Sequence, residues 1–337
     1  MQPKVHLHIG LGKTGTSTIQ SLCNQQRKAL ESHGIRYAFP EENHSLPLVS
    51  AFACDPLRFP VFLENGGNPD TVENKRRGAR RTLKRQLKDC PVPNVFISGE
   101  AAAAFGDEDV KQVKKFLNNQ AISGVQIICY VREPISFATS LAQQRMKAGV
   151  RLSTLIAEPP KPLFRERLSR WANVFGREAI TVVDFHEACQ HPNGLLGSIL
   201  AKVLGEEVPA LDGDVMQKSN PALSMEAALL LDAINARHPY IVDGKINPNR
   251  RSQDANRILT SIKGAKFDLG PEFAARVREL TDDDVAWLRE FTGRPSLFEA
   301  YTKAATAATP APLWSDDTIS DIAEELFGLY AASVQQR

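Results

Sequence analysis

Val5-His6-Leu7-His8-Ile9-Gly10-Leu11-Gly12-Lys13-Thr14-Gly15-Thr16-Ser17-Thr18 changes its period halfway along. The first five residues alternate as a strand does, and a glycine-rich turn follows. From Thr16 the apolar positions Ile19, Leu22, Cys23 and Leu30 fall on one side of a helix. Strand, glycine turn and helix make the first unit of an α/β chain. The turn lies where a helix N-terminus directs its free N–H groups outward. Glycines let a backbone approach an anion closely, Lys13 adds a mobile cation, and Thr14, Thr16, Ser17 and Thr18 add hydroxyl donors. An ordinary strand–helix turn needs only one glycine and one hydroxyl cap. This turn exceeds that need and reads as an anion site. It lacks the spacing of a Walker A loop, because Leu7 stands where such a loop requires its first glycine. The helix dipole contributes only ~0.3–1 kcal/mol per exposed charge, so tight nucleotide binding needs a second anion clamp.

Working outward, the pattern predicts further strands at Asn94–Ser98, Val125–Val131 and Ala179–Val183. The run Val125–Val131 is apolar throughout, as suits a strand buried on both faces of a parallel sheet. Helices are expected from Thr16, from Asp107, over Pro134–Lys147, over Leu163–Phe175, and from about Leu195 and Leu223. Such alternation predicts a P-loop NTPase-like, doubly wound parallel α/β sheet flanked by helices, with a helical C-terminal elaboration. Beyond about residue 240 a Gly/Asn/Lys-rich stretch (243–266) precedes helical turns near Glu272–Leu280 and Val285–Phe291. Residues 1–300 are expected to form the α/β domain. Residues 301–337 are expected to supply a linker (Ala304–Leu313) and a terminal helix (Asp316–Ser333) packing on it.

The chain has 337 residues, 42% hydrophobic and 24% charged, enough for a substantial core. A formal net charge of +2 points to no partner, so anion binding must arise from local placement. No apolar run is long enough to span a membrane, and no basic-then-apolar leader precedes the first strand. Cys23, Cys54, Cys90, Cys129 and Cys189 are scattered, odd in number and without CxxC pairing. That is the usage of a reducing compartment, and the expectation is a cytoplasmic protein with no thiolate metal site.

A second clamp follows the third strand, in Tyr130-Val131-Arg132-Glu133-Pro134-Ile135-Ser136-Phe137-Ala138-Thr139-Ser140. Arg132 ends a strand, where ligands bind in open α/β sheets, and Ser140 lies about two helical turns further on. Together, Lys13-Thr14-Gly15-Thr16-Ser17 with Gln20, and Arg132-x-Pro134 with Ser140, resemble the two donor-binding motifs of the PAPS-dependent sulfotransferase superfamily. The bacterial carbohydrate-type members are the most similar in pattern. Supporting likeness extends through Asp184-Phe185-His186-Glu187, Leu204-Gly205 and Lys218-Ser219-Asn220, so that it spans about residues 4–235.

The resemblance implies a donor, 3′-phosphoadenosine 5′-phosphosulfate (PAPS), and an acceptor hydroxyl on a carbohydrate or glycolipid. It implies that Lys13 meets the bridging oxygen of the leaving 5′-phosphate, while backbone amides of Thr14, Gly15, Thr16, Ser17 and Thr18 hold its other oxygens. It implies that Arg132 and Ser140 read the 3′-phosphate, and that no metal is needed. Two residues stand as candidate general bases: Glu100, in Ser98-Gly99-Glu100 after the second predicted strand, and His44, after the first helix. Similar enzymes often place Ser-x-Glu at the first position, and some relatives carry a functional histidine in the second region. His6 and His8 are expected to be buried and hydrogen-bonded within the first strand.

The basic stretch Lys75–Arg85 admits an anionic acceptor or a nucleic-acid contact. Ala79, Leu83 and Leu87 nevertheless have helical spacing, and the remainder reads as a solvated helix face. No nucleic-acid module is recognisable. Two rival functions stay open: a P-loop nucleotide kinase or NTPase, and a non-catalytic protein that binds 3′-phosphoadenosine 5′-phosphate (PAP).

Overall fold

The computed structural model describes residues 2–88, 90–207, 222–239, 241–242, 245–247, 259, 261–299 and 316–335. The expected linker Ala304–Leu313, the Lys218-Ser219-Asn220 motif and much of the stretch 243–266 lie outside the described residues. The chain divides into two compact units: Met1–Arg132 with Leu163–Lys218 and Trp287–Pro295, and Glu133–Pro162 with Ser219–Ala286 and Ser296–Arg337.

The first unit is built on a parallel sheet of β1 (Lys4–His8), β2 (Ile35–Tyr37), β3 (Asn94–Ser98), β4 (Gly124–Val131) and β5 (Ile180–Asp184). Their order is β2-β3-β1-β4-β5. Its helices are α1 (Thr16–Gln25), α2 (Arg27–Ser32), α3 (Ser45–Phe52), α4 (Pro60–Glu64), α5 (Val72–Lys88) and α6 (Asp107–Asn118). The second unit contributes α7 (Pro134–Lys147) and α8 (Leu152–Ala157) before the first resumes with α9 (Phe164–Phe175), α10 (Phe185–Cys189) and α11 (Gly194–Leu204). Strand β2 escapes the sequence pattern because three residues are too few to display a period.

Parallel register puts His6 beside Phe96 and Gln126, and His8 beside Ser98 and Ile128, on one face of the sheet. That face packs Phe96, Ile128 and Tyr130 against Ile19, Leu22 and Cys23 of α1, Leu30 of α2, and Ile199, Leu200 and Val203 of α11. Val5, Leu7, Val95, Ile97 and Cys129 have the opposite parity and are also buried. Both faces being covered explains the unbroken apolar run in β4. The order also fixes where a ligand can sit. β1 and β4 are neighbours, yet the chain leaves β1 toward β2 on one side and leaves β4 toward β5 on the other. Adjacent strands with diverging connections open a crevice at their C-terminal ends.

The second unit also holds α12 (Met225–Arg237), a short antiparallel pair β6 (Ile241–Val242) and β7 (Lys245–Ile246), and α14 (Asp316–Gln335). Its core joins Met146 of α7, Leu155 of α8, Leu230, Leu231 and Ile234 of α12, and Ile319, Ala323 and Phe327 of α14. The turns expected at Glu272–Leu280 and Val285–Phe291 are one helix, α13 (Gly270–Thr292). Its polar middle is no break, since the buried Thr281 hydroxyl bonds back to the carbonyl of Val277 at 2.8 Å.

Candidate functional site

The glycine loop leaves the sheet at the crevice edge of β1. Ile9 N–H donates to Ile128 O at 3.0 Å, extending the β1–β4 pairing by one residue, and Gly10 then turns away. Gly15 has φ +74° and caps α1; a Cβ there would come within 2.6 Å of Leu195 Cδ1 and 3.0 Å of Phe185 Cε2. Glycine is therefore required twice over at this position, for its backbone and for its neighbours. Lys13, which has a side chain, also adopts φ +67°. Such a backbone costs on the order of 1–3 kcal/mol and concentrates at functional sites.

The loop hydroxyls divide by direction. Thr14 is buried and donates to Leu11 O at 2.5 Å, so it closes the loop internally. Thr16 is buried beneath Gly10. Ser17 is exposed and Thr18 half-buried.

Arg132, directly after β4, reaches across the crevice, and its Nη1 donates to Lys13 O at 2.9 Å. Its guanidinium lies 5.3 Å from the ring centroid of Phe185, the first residue of α10. Phe185 thus touches both anion elements, the loop at Gly15 and the arginine. In the sequence Phe185 belongs only to a supporting motif, and its place immediately after a strand's C-terminal end is the signal that marks it.

Glu100 is half-buried after β3 and shares this edge. Burial raises its pKa above the ordinary carboxylate value, and the Lys13 charge opposes that rise. Lys13 has the complementary state: burial, and then the Arg132 charge, lower its pKa, while Glu100 raises it. No ion pair joins Lys13 and Glu100; both are half-buried, and each acts on the pKa of the other. Gly99 makes the approach to α3 possible. A Cβ there would stand 2.6 Å from Leu48 Cδ1 and 2.9 Å from Ser45 N.

His44 is wholly buried just before α3. Its Nδ1 accepts the N–H of Ser98 at 3.1 Å, and its own N–H donates to Ser98 O at 3.0 Å. The ring stacks on Tyr37 with centroids 4.0 Å apart. Burial lowers its pKa to about 3, so it is neutral, with the proton on Nε2. Ser98 is a hub. Its carbonyl also accepts Gln20 Nε2 at 3.0 Å, and its hydroxyl pairs with His8 Nδ1 at 2.9 Å. His6 pairs with Asn94 at 2.9 Å. Burial lowers His6 to about 4 and His8 to about 3, so both strand histidines are neutral as well. Ser140 lies half-buried on α7 of the second unit.

Among the described residues, no three His, Cys, Asp or Glu side chains gather as a metal site, and no helix is long and apolar enough to cross a membrane. The fold and site define an α/β protein with a five-stranded parallel sheet and charged groups at its C-terminal edge. No family model and no curated protein matches the chain. Among solved structures, the crystal structure of a sulfotransferase from Alicyclobacillus acidocaldarius is similar to it. The identity is 14%, over 75% of this chain and 100% of that chain, with a TM-score of 0.37.

Proposed function

We propose that the protein is a sulfotransferase that moves a sulfuryl group from PAPS to an acceptor hydroxyl. One observation carries the reading: the glycine loop and Arg132 meet at the β1/β4 crevice, bonded through Lys13 O, with Glu100 on the same edge. A donor with phosphates at two positions calls for two cationic clamps, and this edge offers Lys13 and Arg132.

In this reading the acceptor oxygen attacks sulfur, the sulfur–oxygen bond to the 5′-phosphate breaks, and the hydroxyl proton passes to Glu100. Lys13 Nζ and the loop amides stabilise the charge that grows on the departing phosphate. Arg132, placed beside the loop by its bond to Lys13 O, is the cation that meets the 3′-phosphate in this reading. The resemblance adds Ser140 to that phosphate and a carbohydrate or glycolipid to the acceptor side. Glu100 is the base in preference to His44. Burial raises its pKa and so makes its carboxylate a stronger proton acceptor, whereas the Nδ1 lone pair of His44 is committed to Ser98 N–H. His44 instead pins Ser98 and, through it, the segment leading to Glu100.

The test incubates the chain with PAPS labelled in its sulfuryl group and with fractions of glycans, lipids and small hydroxyl compounds. Transfer of label, with PAP released and no requirement for magnesium, supports the reading. Magnesium-dependent phosphoryl transfer from ATP would overturn it in favour of a nucleotide kinase. Tight PAP binding with no transfer to any fraction would favour a binding protein.

A further inference from the structure

Helix α5 carries eight basic residues and one acid, Glu73. They separate into two sets. Arg76 Nη2 donates to Ala53 O at 2.9 Å and Arg80 Nε to Ala51 O at 2.8 Å, docking α5 onto the carbonyls at the C-terminal end of α3. Lys75 Nζ holds Asn65 O at 3.0 Å. These three serve the fold.

The other five, Arg77, Arg81, Lys84, Arg85 and Lys88, are all exposed. Their spacing places them on one stripe, about 16 Å long at 1.5 Å of rise per residue. Arg77 has only a 3.4 Å contact with Asn74, and among the described residues the other four have no hydrogen-bond or ion-pair partner. A solvated helix face ordinarily mixes its signs. Here Arg77/Arg81, Arg81/Arg85 and Lys84/Lys88 are like charges one turn apart, an arrangement that destabilises a helix. Folding alone does not favour such a stripe; a polyanion lying along it would.

We propose that the outer face of α5 is a docking track for a linear anionic polysaccharide. The five cations fall within about 100° of the helix circumference, a strip suited to one extended chain. The residues flanking the cations along this face are Gly78 and Thr82, which offer no ring for base stacking and no large apolar group to enter a bilayer. The track does not depend on the sulfuryl-transfer reading.

The test measures fluorescence anisotropy of labelled oligogalacturonate and labelled sulfated dextran with the full chain across a salt series. Binding should weaken steeply as salt rises. The triple variant Arg81→Gln/Lys84→Gln/Arg85→Gln should lower affinity by about tenfold or more and reduce the log–log salt slope by about 2–3. A second triple, Lys28→Gln/Lys115→Gln/Lys202→Gln, removes the same charge from exposed sites on α2, α6 and α11 and should leave both quantities unchanged. Unaltered thermal unfolding in both variants establishes that each is folded. Equal losses in the two triples would overturn the track, as would no binding at low salt. Tighter binding of a labelled DNA duplex or of phosphatidylserine vesicles would assign the stripe to another partner and overturn the polysaccharide.

Discussion

Two charged sites, one in each unit, are built in opposite ways. In the second, Asp232 receives both Nε and Nη2 of Arg151 at 3.0 Å and the Leu152 N–H at 2.6 Å, so the carboxylate is saturated by its own protein. In the first, Lys13 and Glu100 are half-buried, bear shifted pKa values of opposite sense, and close no ion pair with each other. A saturated carboxylate contributes to folding. Partly desolvated charges held apart cost stability, and a fold keeps them where a ligand completes them.

The largest expected effect breaks this contrast at Lys13. Lys13→Gly should reduce turnover by on the order of 10³-fold, because a donor aimed at developing charge is lost. The same change relieves the positive φ of Lys13, so unfolding should shift upward slightly rather than downward. Asp232→Ala should do the reverse, lowering stability by about 1–2 kcal/mol while turnover per folded molecule is kept. Urea titrations run beside turnover assays give both readings, and a variant that lost both properties together would erase the distinction between the two sites.

Next in size is Glu100. Glu100→Gln should slow transfer by about 10²-fold with little change in donor affinity. The pH profile carries the sign. The carboxyl must be ionised to accept a proton, and burial raises its pKa, so wild-type turnover should fall as pH drops through that raised value. The acidic limb should vanish in the glutamine variant. His44→Ala should instead lower thermal stability and leave the limb in place; a lost limb there would reassign the base.

Arg132→Ala should weaken PAP binding by roughly 10–100-fold while affecting adenosine 5′-phosphate much less, since a charge-assisted contact to one phosphate contributes about 1.5–3 kcal/mol. Calorimetry with the two nucleotides measures the difference. Equal losses for both would place Arg132 at the 5′ end of the donor or outside the site.

The sheet was legible in the sequence wherever an element was long enough to show a period. β1, β3, β4 and β5 lie within a residue or so of their expected positions, and the glycine turn marked the edge on which Lys13 stands. What escaped depends on register and packing, which single-chain periodicity does not encode. His44 reads as a loop histidine, yet pairing of β2 with β3 brings it beside Ser98, 54 residues away. Thr14 reads as one more hydroxyl for a ligand, and only the loop's closed geometry turns it back onto Leu11. The basic stretch reads as one solvated face, while docking on α3 divides it into an inner set and an outer stripe.

The smallest effect tests the finest point of the comparison, whether a neutral neighbour helps to place the charges at this edge. Phe185 is the neutral group best situated to place them, since its ring faces the Arg132 guanidinium and abuts the position of Gly15. A cation–π contact at a partly exposed site contributes about 0.5–1 kcal/mol, a factor of about 2–5 in affinity. Phe185→Leu keeps much of the packing against the loop and removes the ring face, so preference for PAP over adenosine 5′-phosphate should narrow by that factor. Phe185→Tyr keeps the face and should restore the preference. General loosening of the loop would weaken both nucleotides alike and leave their ratio unchanged. If wild-type protein shows no preference for the 3′-phosphate, the donor assignment itself fails. If it shows the preference and Phe185→Leu retains it in full, only the placing role of Phe185 is lost, and other contacts of Arg132, its bond to Lys13 O among them, place the guanidinium.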